Sequence, residues 1–467
     1  MTESIISSHR LFEIADHVKV SAPANLKLMT PFILLEQGDW FEDEIRWMRR
    51  IIEPGMKVLD IGANYGTYSL SAAAEVGTTG KVWSIEPTPS VLEHLERSKA
   101  ANSFEQMEIL PFALGAENGE VSFYVSDNPE LNALTQESEA HVEIKVPCRT
   151  LDSLVSELGI HFLDFVKLDA EGQEENIVSG GKNVFEKQSP IVLFEIMHGA
   201  SMSLNCWRAL KKLDYEGYTL CPGTNVLVPV DPDTFDGRLT LNMIACKPDR
   251  AAQLEKAGHL CSDTKLAIGD LRQIDENFFQ SYLKESSYGQ ALAECGLLDE
   301  PMIQSGADNY RLGLNILALA EENGLSSIDK TKYLLLAFEY VRSACAKHSS
   351  VARLLTLIRL SLATHRRDIA TRLLVDLAKA IQANENLAID EPFIVPAVDY
   401  DEVEVNGNLG EFIQSSILYQ RILAVGYSSF YDFKRSFEYL QLHQAQGIRR
   451  PKTDLRLAAI NQLRLSL

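Results

Sequence analysis

Val58-Leu59-Asp60-Ile61-Gly62-Ala63-Asn64-Tyr65-Gly66 is an apolar run that ends in D-x-G-x-x-x-G and passes directly into a helix-like stretch. It reads as a strand, a glycine-rich turn and a helix start, the opening βα unit of a Rossmann-like sheet. Glycine there permits tight turning and close ligand approach, and such a turn aims unpaired N–H groups at an anionic group. A nicotinamide-binding turn would read G-x-G-x-x-G and receive a pyrophosphate. Here Asn64 stands at the second glycine, and Asp60 would repel phosphate. A zwitterionic amino-acid tail suits the site better, with its carboxylate at the helix start and its ammonium near Asp60.

Working outward, Trp83-Ser84-Ile85-Glu86-Pro87 places an acid at the end of the next strand, 20 residues past Gly66. A carboxylate so placed can accept both hydroxyls of a ribose. Further on, Val166-Lys167-Leu168-Asp169-Ala170-Glu171-Gly172 is another strand with an acidic tip, and alternation sends Lys167 and Asp169 to one side. Asp169 and Glu171 are candidates to orient or deprotonate an acceptor hydroxyl; a helix cap and an ion pair with Lys167 are the structural alternative. Phe194-Glu195-Ile196-Met197-His198 ends a fifth strand, from which Glu195 or His198 could reach the same crevice. An imidazole suits proton transfer near neutrality, although a lone histidine is more often structural. No H-E-x-x-H motif or Cys/His cluster occurs, so no metal site is assigned, and a hard cation on Asp169, Glu171 and Glu195 stays open.

The strand-like runs Lys57–Ile61, Lys81–Ile85, Met107–Phe112, Phe162–Asp169 and Ile191–Ile196 alternate with helical stretches, the pattern of an α/β fold with a parallel sheet. Two further runs, Glu120–Ser126 and Val142–Pro147, predict an inserted antiparallel hairpin. Later runs, Tyr218–Val230 and Leu239–Cys246, are expected to end the sheet in antiparallel fashion. From Asp308 onward apolar residues recur at helical spacing, with turn signals near Ser326, Ser350 and His365. An all-α domain follows from this, as a bundle or a short α-solenoid, with Asp390–Glu404 expected as an intervening loop. The 467 residues thus divide into an N-terminal extension (1–40), the α/β domain (41–250), a helical connector (251–307) and a helical domain (308–467).

Composition narrows the function. A formal charge of −21 opposes binding to a phosphate backbone, so nucleic acid is not an expected partner. No apolar run approaches the roughly 20 residues of a membrane span. The seven dispersed cysteines, and an amino terminus without a signal-peptide pattern, point to a reducing cytoplasm.

Taken together, V-L-D-I-G-A-N-Y-G-T-Y-S-L (Val58–Leu70), I-E-P-T-P (Ile85–Pro89), A-L-G (Ala113–Gly115), V-K-L-D-A-E-G (Val166–Gly172), I-V-L-F-E-I (Ile191–Ile196) and the late run Asn242-Met243-Ile244-Ala245 resemble the FkbM family of methyltransferases. The resemblance covers about residues 41–248, and Ala170 stands where the family carries valine or a related residue. It implies a class I methyltransferase sheet, S-adenosyl-L-methionine as cofactor, and O-methylation of a sugar, glycan or secondary-metabolite hydroxyl. Carried over residue by residue, it places the cofactor against Asp60, Gly62, Ala63, Asn64, Gly66, Glu86 and Pro87, with Phe112 and Ala113 near the adenine. Asp169 and Glu171 would line the acceptor side, and the loop Asp127–Ala140 is expected to close as a lid. The helical part inherits no role; it is free to bind a partner or to self-associate. A chain that binds cofactor weakly and acts as a helical scaffold is the alternative.

Overall fold

Short β-branched and aromatic runs bounded by Gly and Pro become strands because their side chains fill the two faces of a covered sheet. The computed structural model describes residues 9–125, 142–196, 203–234, 240–266, 278–298, 307–322, 324–383, 387–405, 408–445 and 451–466. Its strands are β1 (His9–Glu13), β2 (Lys19–Pro23), β3 (Lys57–Ile61), β4 (Lys81–Ile85), β5 (Met107–Leu110), β6 (Ala113–Leu114), β7 (Gly119–Val125), β8 (Val142–Arg149), β9 (Phe165–Leu168), β10 (Ile191–Glu195), β11 (Glu216–Cys221), β12 (Val226–Pro229) and β13 (Asn242–Cys246).

Eight of them form one sheet in the order β12-β11-β13-β10-β9-β3-β4-β5, a Rossmann-like α/β sheet. Strands β3, β4, β5, β9 and β10 run parallel; the other three are antiparallel to their neighbours. The chain steps outward from β3 to β5 and then returns to β9 beside β3. That reversal opens a crevice at the carboxyl ends of β3 and β9, the place where open α/β sheets hold ligands. Apolar cores fill both faces, one including Val58, Leu193 and Ile244, the other Leu59, Phe194 and Met243.

Two expectations are corrected here. The run Met107–Phe112 stops at Leu110, because Pro111 has no N–H to continue the ladder, and Ala113–Leu114 joins a separate three-stranded sheet with the β7–β8 hairpin. Tyr218–Val230 is two strands, a hairpin at the sheet edge, and β13 slots between it and β10. Asp390–Glu404 is the irregular stretch expected between helices, and much of it is buried. Phe393, Val395, Ala397 and Tyr400 are fully buried, and the Tyr310 hydroxyl donates to the Pro392 carbonyl at 2.8 Å.

The helices Ala307–Ala320, Ser327–Lys347, Val351–Ala363, Arg367–Gln382, Leu409–Gly426, Phe433–Ala445 and Pro451–Ser466 each pack on their chain neighbours, as in a short solenoid. The predicted turn signals hold two helix caps, Ser326 accepting from the Asp329 N–H and Ser350 from the Arg353 N–H. Residues near the amino end tie the two regions together. The β1–β2 hairpin packs on the helix Pro89–Asn102, with Ser21 N–H donating to Ser98 Oγ, while the helix Met29–Gln37 packs on Pro451–Ser466. No helix among the described residues is long and apolar enough to cross a membrane.

Candidate functional site

The bend after β3 is built to be crossed closely, though by protein. Gly62 has φ +79°, and a Cβ there would sit 1.7 Å from the Asp169 carbonyl oxygen. Gly66 has φ +87°, and its Cβ would sit 2.4 Å from a Leu95 methyl. Asn64 takes the left-handed conformation (φ +46°), which asparagine tolerates. The Gly62 and Ala63 N–H groups both donate to the Ile85 carbonyl at 3.0 Å, the Gly66 N–H to the Ala63 carbonyl and the Asn64 N–H to Glu86 Oε2 at 2.9 Å. The expectation that these amides face a ligand unpaired is therefore corrected. Donors for an anion must come from the first turn of the helix Thr67–Val76, where amides lack intrahelical partners.

Glu86 lies on this bend. Its carboxylate accepts from the Asn64 N–H and, through Oε1, from the Thr88 N–H at 2.8 Å, so it is fixed in place with lone pairs to spare. Burial pushes Glu86 up from the ordinary carboxylate range, while these hydrogen bonds pull it back. Asp60 is buried beneath the bend rather than exposed at a strand tip. Its Oδ2 accepts from Ser69 Oγ at 2.6 Å, and Oδ1 has no partner among the described residues. Burial raises Asp60 as well, opposed by the nearby Lys167 ammonium. Asn64 Oδ1 is a second buried acceptor without a partner among the described residues.

Across the crevice, Lys167 Nζ binds Asp169 Oδ2 at 2.5 Å and lies 4.7 Å from the centre of the Tyr68 ring. Burial alone would lower this lysine, but Asp169, Asp60 and Glu42 outweigh it and hold the ammonium above its usual range. Glu42 accepts from the Tyr68 hydroxyl at 2.5 Å. The ion-pair alternative for Lys167 is thus realised; the cap alternative is not, since the next helix begins at Glu174. Glu174 Oε1 accepts from the Ala170 and Gly172 N–H groups, which folds the acidic loop and sets Glu171 at φ +48°. Glu195 Oε2 is buried without a partner among the described residues, and burial followed by Asp169, Glu171 and Glu174 pushes this acid up to about 10.

The cleft itself is lined by Gly62, Asn64, Glu86, Pro87, Ala113, Asp169 and Glu171, together with Ile61, Ile85, Thr88, Leu114, Phe123, Ala170 and Gln173. Seven of the residues singled out in sequence therefore meet around one space. Asp60, Ala63, Gly66, Lys167 and Glu195 lie outside this lining. Phe112 points into the apolar core with the Arg149 guanidinium 4.9 Å from its ring centre, because alternation turns Ala113 rather than Phe112 toward the cleft. His198 and the loop Asp127–Ala140 lie outside the described residues. Sequence reasoning missed Phe123, Tyr68, Glu42 and Glu174. Alternation in the hairpin signals Phe123, and Tyr68 sits two residues after Gly66. Glu42 precedes every motif and carries no local signal.

Residues 60–216 match the family described as the methyltransferase FkbM domain. The 2-O-methyltransferase NoeI of Sinorhizobium fredii is 22% identical over 151 residues, covering 29% of this chain, which spans 61% of that relative's length. Among solved structures, the methyltransferase FkbM of Methylobacillus flagellatus shares 18% identity at a TM-score of 0.28, over 41% of this chain and 43% of that one. An S-adenosylmethionine-dependent O-methyltransferase of Thermotoga maritima shares 15% identity at a TM-score of 0.26, over 51% of this chain and 77% of that one.

Proposed function

We propose that the FkbM methyltransferase domain at residues 60–216 uses S-adenosyl-L-methionine to methylate a hydroxyl of a sugar, glycan or secondary metabolite. The observation that carries this reading is the Glu86 carboxylate fixed on the Gly62–Gly66 bend, facing Asp169 and Glu171 across one cleft. The cofactor is a donor-rich ligand, with an ammonium and ribose hydroxyls, and the bend offers matching acceptors. Glu86 retains spare lone pairs, and Asp60 Oδ1 and Asn64 Oδ1 are buried without partners among the described residues. Unpaired buried acceptors cost free energy, so a ligand that satisfies them is favoured. Asp60, Gly62, Ala63, Asn64, Gly66, Glu86, Pro87 and Ala113 would hold this group, with Leu114 and Phe123 in place of Phe112 at its apolar edge. When bound, it supplies a methyl group on a good leaving group.

The protein's own residues then align and deprotonate the acceptor. Alignment contributes about 7–11 kcal/mol and a positioned base about 10²–10⁴-fold. Lys167 engages one oxygen of Asp169 and so fixes that carboxylate toward the acceptor. Asp169 takes the hydroxyl proton, Glu171 orients the acceptor, and Glu195, raised by its burial, stands behind them as a neutral acid. The 2-O-methyltransferase NoeI, by its name an enzyme acting on oxygen, supports the hydroxyl assignment. On the same reading the protein works in the cytoplasm, where its seven free thiols stay reduced, with residues 41–250 as the catalytic unit, 251–307 as the connector and 308–467 available to a partner.

Calorimetry with S-adenosylhomocysteine tests the reading. Wild type should bind, and Asp60→Ala and Glu86→Ala should each lose most of the affinity. A wild type that binds nothing favours the scaffold alternative instead.

A further inference from the structure

Strand register places three polar side chains in a row at the acceptor end of the sheet. Lys167 pairs with Leu193 and Leu168 with Phe194, so the next step brings Asp169 level with Glu195. Glu195 in turn pairs directly with Asn242 on β13. Directly opposed residues share a face, so Asp169, Glu195 and Asn242 stand side by side on three adjacent strand ends. Glu171 reaches the same point from the loop: single carboxylate oxygens of Asp169, Glu171 and Glu195 all lie within 4.8 Å of one another.

Such a cluster alone is common on protein surfaces; two buried atoms set this one apart. Glu195 Oε2 and Asn242 Nδ2 are both buried, and neither has a hydrogen-bond partner among the described residues. Asn242 is 3% exposed. A carboxylate and an amide on neighbouring strands would ordinarily bond to each other. Here neither atom is bonded among the described residues, with Glu174 a fourth acid nearby and the Lys167 ammonium facing them.

We infer that Asp169, Glu171, Glu195 and Asn242 form a site for one hard divalent cation on the acceptor side of the cleft. The donor set is oxygen only, once the Asn242 amide is turned to present Oδ1, an orientation with the same shape. Oxygen-only sets select Mg²⁺, Mn²⁺ or Ca²⁺ over zinc or copper. Bonds of about 2.0–2.6 Å keep any two ligands of one ion within about 4–5 Å, and the three carboxylate oxygens lie within 4.8 Å of one another. A cation here would bind the acceptor oxygen and lower its pKa, with Asp169 then serving as ligand in place of base, and would favour acceptors with two adjacent oxygens, so this inference rests on the methyltransferase reading and narrows its substrate to chelating hydroxyl compounds.

Manganese is the probe. Titration of the full chain with Mn²⁺, followed by the electron paramagnetic resonance of the free ion, should show one ion bound per chain with a dissociation constant below about 1 mM, and Mg²⁺ should compete. Glu195→Gln, Asn242→Ala and the partly exposed Glu171→Gln should each weaken binding about tenfold or more. Circular dichroism of each variant confirms the fold, and Glu171→Gln, on a loop, keeps the test decisive should a strand variant unfold. No saturable uptake by wild type, or uptake unchanged in all folded variants, overturns the site. S-adenosylhomocysteine binding is measured in parallel. Cofactor binding without manganese removes the cation alone, whereas manganese without cofactor keeps the cation and removes the methyltransferase reading.

Discussion

The helical region and the tip of the sheet both bury charge, and they treat it in opposite ways. In the helical region Arg353 and Glu391 are almost fully buried and meet in a two-pronged pair, Nε–Oε1 at 2.7 Å and Nη2–Oε2 at 3.0 Å. Ser350 donates to the same carboxylate, and Arg353 Nη1 donates to the His348 carbonyl. Glu36, with no exposure, accepts from Ser428 Oγ, Ser429 N–H, Ser429 Oγ and Arg456 Nη1. Each of these two acids has its cation, although Arg456 Nε is unpaired among the described residues. At the sheet tip, Asp60, Glu42, Asp169 and Glu195 share one lysine, several of these acids are raised, and three polar atoms of Asp60, Asn64 and Glu195 lack partners among the described residues. A balanced buried pair specifies packing; an unbalanced, underbonded cluster is poised for a ligand.

That contrast can be broken at either end. The largest effect is expected from Arg353→Met, which strands Glu391 in the helical core and should cost about 3–5 kcal/mol of stability by urea unfolding. Unchanged stability would mean that the pair is not structural. Next, Asp169→Asn should lower methyl transfer about a hundredfold or more, measured with labelled cofactor and a fractionated lysate from the source, while S-adenosylhomocysteine affinity moves little. Glu86→Gln should then weaken S-adenosylhomocysteine about tenfold, the loss of one charge-assisted hydrogen bond.

The smallest effect concerns pH at the seam between the two regions. Glu44 is buried and pushed up to about 8, first by that burial and then by Asp43 and Glu42, and it faces Arg367, whose guanidinium stacks on Tyr427. The folded state holds this proton more tightly than the unfolded chain does. Stability from this group is therefore present at low pH and is lost as pH climbs from about 4.5 through 8. Glu44→Gln should flatten that decline by about 1 kcal/mol or more, as read from unfolding curves at pH 5 and pH 8. An identical slope in both proteins would remove Glu44 from the account.

How far the sequence could be read follows from how local each signal is. The strand β3, its bend and the acids Asp60, Glu86 and Asp169 were legible because apolar runs, glycine spacing and strand-end acids lie within a few residues of each other. The helix breaks at Ser326 and Ser350 were legible for the same reason, since a cap is a local hydrogen bond. Asp390–Glu404 was legible as an irregular break, but its burial was not, because that burial comes from Tyr310 and Thr356 on other helices and leaves no periodic trace. Phe112 misled because Pro111 resets the strand just before it.

Local pattern alone determined that a glycine bend and two strand-end acids would exist, because chain stiffness and side-chain alternation act over single turns and strands. Only the tertiary structure decided which amides that bend consumes internally, that β13 inserts beside β10 to bring Asn242 against Glu195, and that Glu36 closes on Arg456 at the far end of the chain. Those pairings depend on strand order and helix docking, and residues hundreds of positions apart carry no mark in sequence of having to meet.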